Sequence, residues 1–316
     1  MTSTSSFDLR RAPDASGAVD RADWLGLVEE IADAAGYFEP LGARHWAFFR
    51  DEAPTLLVSF ETIDQIRARG PGQLPLGDAV ARAEGWSSLC LIADGPTWYR
   101  DRSVFRYFDR LVDDAFFEDF DRVVFYGAGM GGYAACAFSL TAPGAVVVAV
   151  APQATLDPAR AGWDPRFRGA RRLNFTDRYG FAPDMVEGTG ELFLLHDPAE
   201  PLDAMHAALF SGPHVRHLRC RNAGAPLDEA LLAMGMVPPL LRAAGRGELT
   251  LASAARIWRG RRDHPDYLIH QLALNAGRPE RARRVLQTVG HRVEAGLLRQ
   301  ELLALQARLQ DRVRSA

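Results

Sequence analysis

The chain has 316 residues, 47% hydrophobic and 24% charged, with a net charge of −3, so it can bury a large core and carries no basic surplus of the kind nucleic-acid binding requires. All 37 residues counted as Lys or Arg are arginine, which excludes a Walker-type phosphate lysine, a Schiff-base lysine and Ser-Lys acyl transfer. The charge is uneven: 13 arginines face 22 acidic residues over 1–155, 11 face 11 over 156–247, and 13 face 7 over 248–316, so the basic tail is expected to dock on the acidic body.

Residues 1–20 are polar and read as a flexible start without the basic end and apolar centre of a secretion signal. Asp20 is placed to cap a helix whose apolar positions Trp24, Leu27, Val28 and Ile31 recur at helical spacing. Two strand-like runs, 46–49 and 56–60, are separated by Asp51-Glu52-Ala53-Pro54, a hairpin signal. After a Pro/Gly loop at 70–75 comes a strand at 89–93, then a helix over 99–120 with Val104, Phe108, Leu111 and Val112 on one side. A strand at 123–126, a glycine turn, a helix at 133–140 and a strand at 145–151 follow. An arginine-containing insertion occupies 152–190, and strands at 192–195 and 215–220 alternate with helices at 203–210 and 227–244.

Apolar strands alternating with helices predict an α/β fold, a mostly parallel sheet covered by helices on both faces. The expected organisation is a flexible segment 1–20, an α/β domain 21–247 and an all-α extension 248–316. In the extension, helices are expected at 249–260, 267–276, 279–289 and 291–313. The break Gly277-Arg278-Pro279-Glu280 joins a pair that resembles a tetratricopeptide-like hairpin. Leu298, Leu302, Leu305, Leu309 and Val313 form a packing seam, intramolecular or dimeric.

The most informative stretch is Asp121-Arg122-Val123-Val124-Phe125-Tyr126-Gly127-Ala128-Gly129-Met130-Gly131-Gly132-Tyr133. A buried strand runs through a sharp turn into a helix, the arrangement of a G-x-S-x-G nucleophile elbow. The same letters satisfy G-x-G-x-x-G at Gly127, Gly129 and Gly132, the dinucleotide turn. That second reading lacks its ribose-holding carboxylate, since the next strand ends Val150-Ala151-Pro152-Gln153.

By element order, residues 56–244 resemble the α/β-hydrolase fold, and Tyr126–Tyr133 is similar to the G-x-S-M-G-G elbow of esterase-like members. The resemblance puts Gly129 at the nucleophile, Met130 at the oxyanion-hole residue, Asp197 at the acid (with Asp203 in reserve) and Ala225 at the histidine. It therefore implies a frame that has lost hydroxyl and base together, a catalytically degenerate binding or scaffold protein. Elbows of this kind occur in proteins of cell-surface glycan assembly, which implies a glycan- or acyl-related setting. The alternative is an atypical hydrolase or transferase that works without serine, drawing on His196, His206, His214 or His217.

The amides of Met130, Gly131 and Gly132 open a helix, and Arg166, Arg168, Arg171 and Arg172 lie in the insertion expected above them; together they suit a small anionic ligand. Alternatively these arginines pair with Asp113, Asp114, Glu118 and Asp119. Cys90, Cys136 and Cys220 are scattered in apolar runs with no CxxC pair, so neither disulfide nor metal site is indicated, and no cofactor is implied. No nucleic-acid partner and no membrane span are expected, and the setting reads as reduced and cytoplasmic.

Overall fold

The structure, a computed structural model, describes residues 13–275 together with 278, 280, 281 and 284. Eight strands form one sheet: β1 (Gly36–Pro40), β2 (His45–Arg50), β3 (Thr55–Thr62), β4 (Ser87–Ala93), β5 (Arg122–Ala128), β6 (Val146–Val150), β7 (Glu191–His196) and β8 (Val215–Arg219). Their order is β1-β2-β4-β3-β5-β6-β7-β8. The β1–β2 and β2–β4 pairs are antiparallel and the remainder are parallel.

The hairpin expectation is corrected by this order. β2 and β3 do not pair; β4 lies between them, with Phe48 opposite Cys90 and Leu89 opposite Val58. The connecting segment crosses the start of β4, where the Ser87 hydroxyl accepts from the amides of Glu52 and Ala53 and donates to the Ala53 carbonyl. A four-residue gap between apolar runs carries the same local signal whether or not a third strand is inserted. The first strand, β1, was not anticipated: it is a short edge strand bearing Glu39 and Pro40.

Alternate residues of the central strands enter two cores. Val58, Phe60, Leu91, Phe125 and Val147 face one, with the helices Arg102–Asp113 and Met130–Phe138. Leu57, Val124, Tyr126, Val148 and Val150 face the other, with Leu76–Glu84 and Val237–Gly245. This double burial is why the strands are apolar throughout. A third cluster seats the helix Arg21–Asp33 through Trp24, Val28 and Ile31 on Phe48, Cys90 and Ile92; Asp20 caps it by accepting from the Asp23 amide at 2.9 Å.

Two helices differ from expectation. Asp101 caps a helix that starts only at Arg102 and ends at Asp113, followed by a separate 3-10 turn, Phe116–Asp119; Val112 is 49% exposed and stands off the buried face. The expected helix 227–244 is two, Leu227–Ala233 and Val237–Gly245, divided at Gly235, whose φ of +62° ends one before Pro238 and Pro239 begin the next. In the C-terminal region Leu251–Arg259 packs Ala254 and Trp258 into the second core, and Pro265–Leu274 follows. The expected helices at 279–289 and 291–313, with the leucine seam and the tetratricopeptide-like hairpin, fall outside the described residues apart from isolated positions. The described ion pairs from later arginines to the acidic half run from Arg178 to Asp109 and from Arg242 and Arg246 to Glu84, all ahead of the basic tail.

One buried acid organises the strand ends near the glycine turn. Glu61, at the end of β3, accepts from the amides of Leu76 and Gly77 at 2.9 and 3.1 Å and from the Ser59 hydroxyl at 2.9 Å, capping a helix whose own N-cap, Pro75, supplies no side-chain acceptor. Its main-chain carbonyl accepts from the Tyr99 hydroxyl. Glu61→Ala leaves two helix-end amides unpaired in the interior and is expected to lower the unfolding free energy by about 2–5 kcal/mol in urea titrations; a loss under about 1 kcal/mol would contradict this role.

Candidate functional site

β5 ends at Ala128 and the elbow helix begins at Met130, so the direction change is concentrated in Gly129, at φ +53° and ψ −117°. That conformation is costly for any residue with a side chain and is held by its neighbours: the Gly129 amide donates to the Val150 carbonyl at 2.8 Å, and its carbonyl accepts from Tyr133 at 2.9 Å. Two of the other three glycines are required by close approach, and the third is tightly packed. A Cβ on Gly127 would lie 2.1 Å from the Gly131 carbonyl oxygen, and one on Gly131 would lie 2.3 Å from that of Phe60. On Gly132 it would stand 3.2 Å from Pro152, Gly127 and Val150 atoms. Strand–helix packing thus accounts for Gly127 and Gly131 without a dinucleotide. At Gly129 a Cβ would meet nothing within 4 Å, so the position is open where a hydroxyl-bearing side chain would project.

Asp197 follows β7, is 2% exposed, and uses both carboxylate oxygens on main-chain amides: Ala199 at 2.8 Å and Ala223 at 2.9 Å. It therefore pins the loop after β8, which carries Ala225, beside the end of β7.

Among the histidines singled out from the sequence, Nδ1 of His196 and Nε2 of His214 are buried without a hydrogen-bond partner, whereas His206 is closed on itself. His206 is fully buried; its Nδ1 accepts from the Ala154 amide at 3.2 Å and its Nε2 donates to Asp164 Oδ2 at 3.1 Å, leaving no lone pair for a hydroxyl. Burial pushes its pKa down against the opposing pull of Asp164. His196 stands edge-on to His217 at 5.5 Å, and both titrate low, chiefly through burial. The three cysteines are buried free thiols with pKa values raised by burial. Among the described residues no group of three metal-ligating side chains exists.

The insertion reaches over the elbow helix: the Tyr133 hydroxyl donates to the Tyr179 carbonyl at 2.6 Å, and Trp98, whose amide donates to Met130 Sδ at 3.0 Å, packs against Phe167 at 5.0 Å. Its arginines do not act as one group. Arg166 is held by Asp164 at 2.8 Å and Asp203 at 2.7 Å, and Arg171 by the carbonyls of Gly162 and Asp164. Arg168 and Arg172 are exposed, with no partner among the described residues. The pairing expected with Asp113, Asp114, Glu118 and Asp119 is replaced by a bidentate bond from Arg178 to Asp109. Sequence reading singled out neither the Asp164–His206 anchor nor the loop 94–101. A signal for the loop was present in Thr97-Trp98-Tyr99-Arg100, an aromatic and cationic run just past a buried strand.

Strand order and elbow geometry together make this an α/β-hydrolase-like scaffold. Solved structures similar to the chain include Est1E from Butyrivibrio proteoclasticus, 15% identical over 66% of this chain and 98% of that chain, with a TM-score of 0.44. The esterase domain of a Rhodothermus marinus protein is 18% identical over 66% and 96%, at 0.39. The glycosylation-associated Gap123 complex of Streptococcus agalactiae is 16% identical over 60% of this chain, at 0.41, and this chain spans 42% of that one. No family model and no curated protein matches the chain. At these scores the scaffold assignment rests on the topology and the elbow. Among the described residues no helix is long and apolar enough to cross a membrane.

Two predictions follow from this geometry. Gly131→Ala drives a methyl group into a fixed carbonyl and is expected to cost more than about 3 kcal/mol, whereas Gly129→Ala costs only backbone strain of about 1–3 kcal/mol; equal losses in urea unfolding would contradict the open site. His206 is held neutral, so stability falls as pH drops through its unfolded value of about 6.5. Asp164, held low because the bonds from Arg166 and His206 outweigh its burial, adds its loss only below about pH 4. The thermal midpoint is therefore expected to fall between about pH 7.5 and 5.5, and to fall less in His206→Asn. Equal falls in the two proteins would refute the anchor.

Proposed function

We propose that this chain is a catalytically degenerate α/β-hydrolase-like protein that binds its ligand without covalent chemistry. The observation that supports the reading is at the elbow: Gly129 turns the chain at φ +53° and ψ −117° with open space where a side chain would project, and the sequence resemblance expects the nucleophile at this position and the histidine at Ala225. Without a hydroxyl there is nothing to attack an acyl carbon, and without an imidazole there is nothing to take its proton. What remains is the oriented start of the elbow helix, whose first amides carry partial positive charge, under a cover made by the insertion. A glycan- or acyl-related ligand with an anionic group fits that remainder. The serine-independent enzyme gains little from His206 and Asp164, because that pair is closed on itself.

Restoration tests the reading. Gly129→Ser with Ala225→His is expected to give p-nitrophenyl acetate turnover at least about tenfold above wild type, while either single change stays at background, because nucleophile and base act as a unit. Wild-type turnover equal to that of the double variant would overturn the reading.

A further inference from the structure

A cavity of 440 Å³ lies beside the elbow, between the start of β2, the loop after β4 and the insertion. Its walls include Arg44, His45, Trp98, Arg100, Asp101 and Phe167, and neither Gly129 nor Met130 lines it. The volume is in the range of small-molecule sites, and the composition is theirs too: aromatic walls with a few placed polar groups.

The loop that builds the cavity is strained and over-determined. Trp98 and Tyr99 are consecutive non-glycine residues at φ +55° and +54°. Thr97 Oγ1 accepts from the Tyr99 amide, Met130 Sδ from the Trp98 amide, and the Tyr99 hydroxyl reaches the Glu61 and Leu91 carbonyls. Such conformations persist where the surroundings fix them, and they concentrate at ligand sites. Here they carry Trp98 against Phe167 and put Arg100 next in sequence.

The cations of the cavity are not equivalent. Arg166 is matched by Asp164 and Asp203. Arg44 donates only to a main-chain carbonyl, that of Asp94, through Nε and Nη2. Arg100 donates through Nε to the Asn174 carbonyl and through Nη1 to the Arg178 carbonyl and the Tyr133 hydroxyl. Both guanidinium groups are thus fixed in place without a carboxylate, and Nη1 of Arg44 and Nη2 of Arg100 have no partner among the described residues. Asp101, bonded to the amide and hydroxyl of Ser103, is the one acid of the lining. His45 is bonded through Nε2 to Thr97 Oγ1 at 2.7 Å and is kept neutral by burial, its pKa near 4. Two unmatched cations against one carboxylate leave a net charge of about +1, which suits a monoanion better than a dianion.

We propose that this cavity binds a small aryl carboxylate, its ring against the Phe167 side of the Trp98–Phe167 pair and its carboxylate on Arg44 and Arg100. The ring takes the aromatic and apolar surface, and each carboxylate oxygen meets one unused guanidinium N–H in a charge-assisted bond. This site is independent of whether the elbow is catalytic, so ester turnover and ligand binding are read separately.

Isothermal titration of the full chain with benzoate, benzyl alcohol and inorganic phosphate tests it. Benzoate is expected to bind, with the neutral ring and the ringless anion each at least about tenfold weaker. Arg44→Gln and, independently, Phe167→Leu should each weaken benzoate by at least about tenfold and about threefold, whereas Arg172→Gln on the outer surface should change it less than about twofold. No heat at about 10 mM benzoate, phosphate binding as tightly as benzoate, or an equal loss in Arg172→Gln would each overturn the proposal.

Discussion

The approach of main chain to main chain between the elbow helix and β3, with a Gly131 Cβ position only 2.3 Å from the Phe60 carbonyl oxygen, is the constraint around which the strand ends are arranged. It requires glycine at 131 and sets the helix start against the sheet; Gly127 is required by the same helix start, its Cβ position lying 2.1 Å from the Gly131 carbonyl oxygen, and the turn between them falls on Gly129. From there the consequences spread outward. Met130 projects its sulfur to the Trp98 amide, Trp98 packs on Phe167 of the insertion, and Tyr133 ties the next part of the insertion down through Tyr179.

The same packing separates two roles that one glycine motif confounds. Gly127 and Gly131 answer to space and Gly132 sits tightly packed, so these three give no information about a ligand. The fourth answers only to backbone conformation and faces an opening. On the proposed reading a reacting atom would have stood there. Asp197 acts as a main-chain clamp between the loops after β7 and β8.

Much of this was legible in the residues. The fully apolar strands declared a two-sided sheet, Asp20 declared its helix, and the glycine run declared a strand–turn–helix. What local signals could not carry was non-local. The insertion of β4 between β2 and β3 depends on pairing across forty residues of chain, so a crossover read as a hairpin. The partition of the arginines was invisible for the same reason: Arg166 answers to Asp203 and Arg178 to Asp109, each far away in sequence. The break at Gly235 was readable, because glycine followed by two prolines ends a helix on stereochemical grounds alone.

The central claim, that the wild-type elbow carries no activated nucleophile, is tested most directly by exposing the protein to an alkyl fluorophosphonate and weighing it intact. The account predicts an unmodified mass for the wild type and a single adduct for the protein carrying Gly129→Ser with Ala225→His. A stoichiometric adduct on the wild type would contradict it.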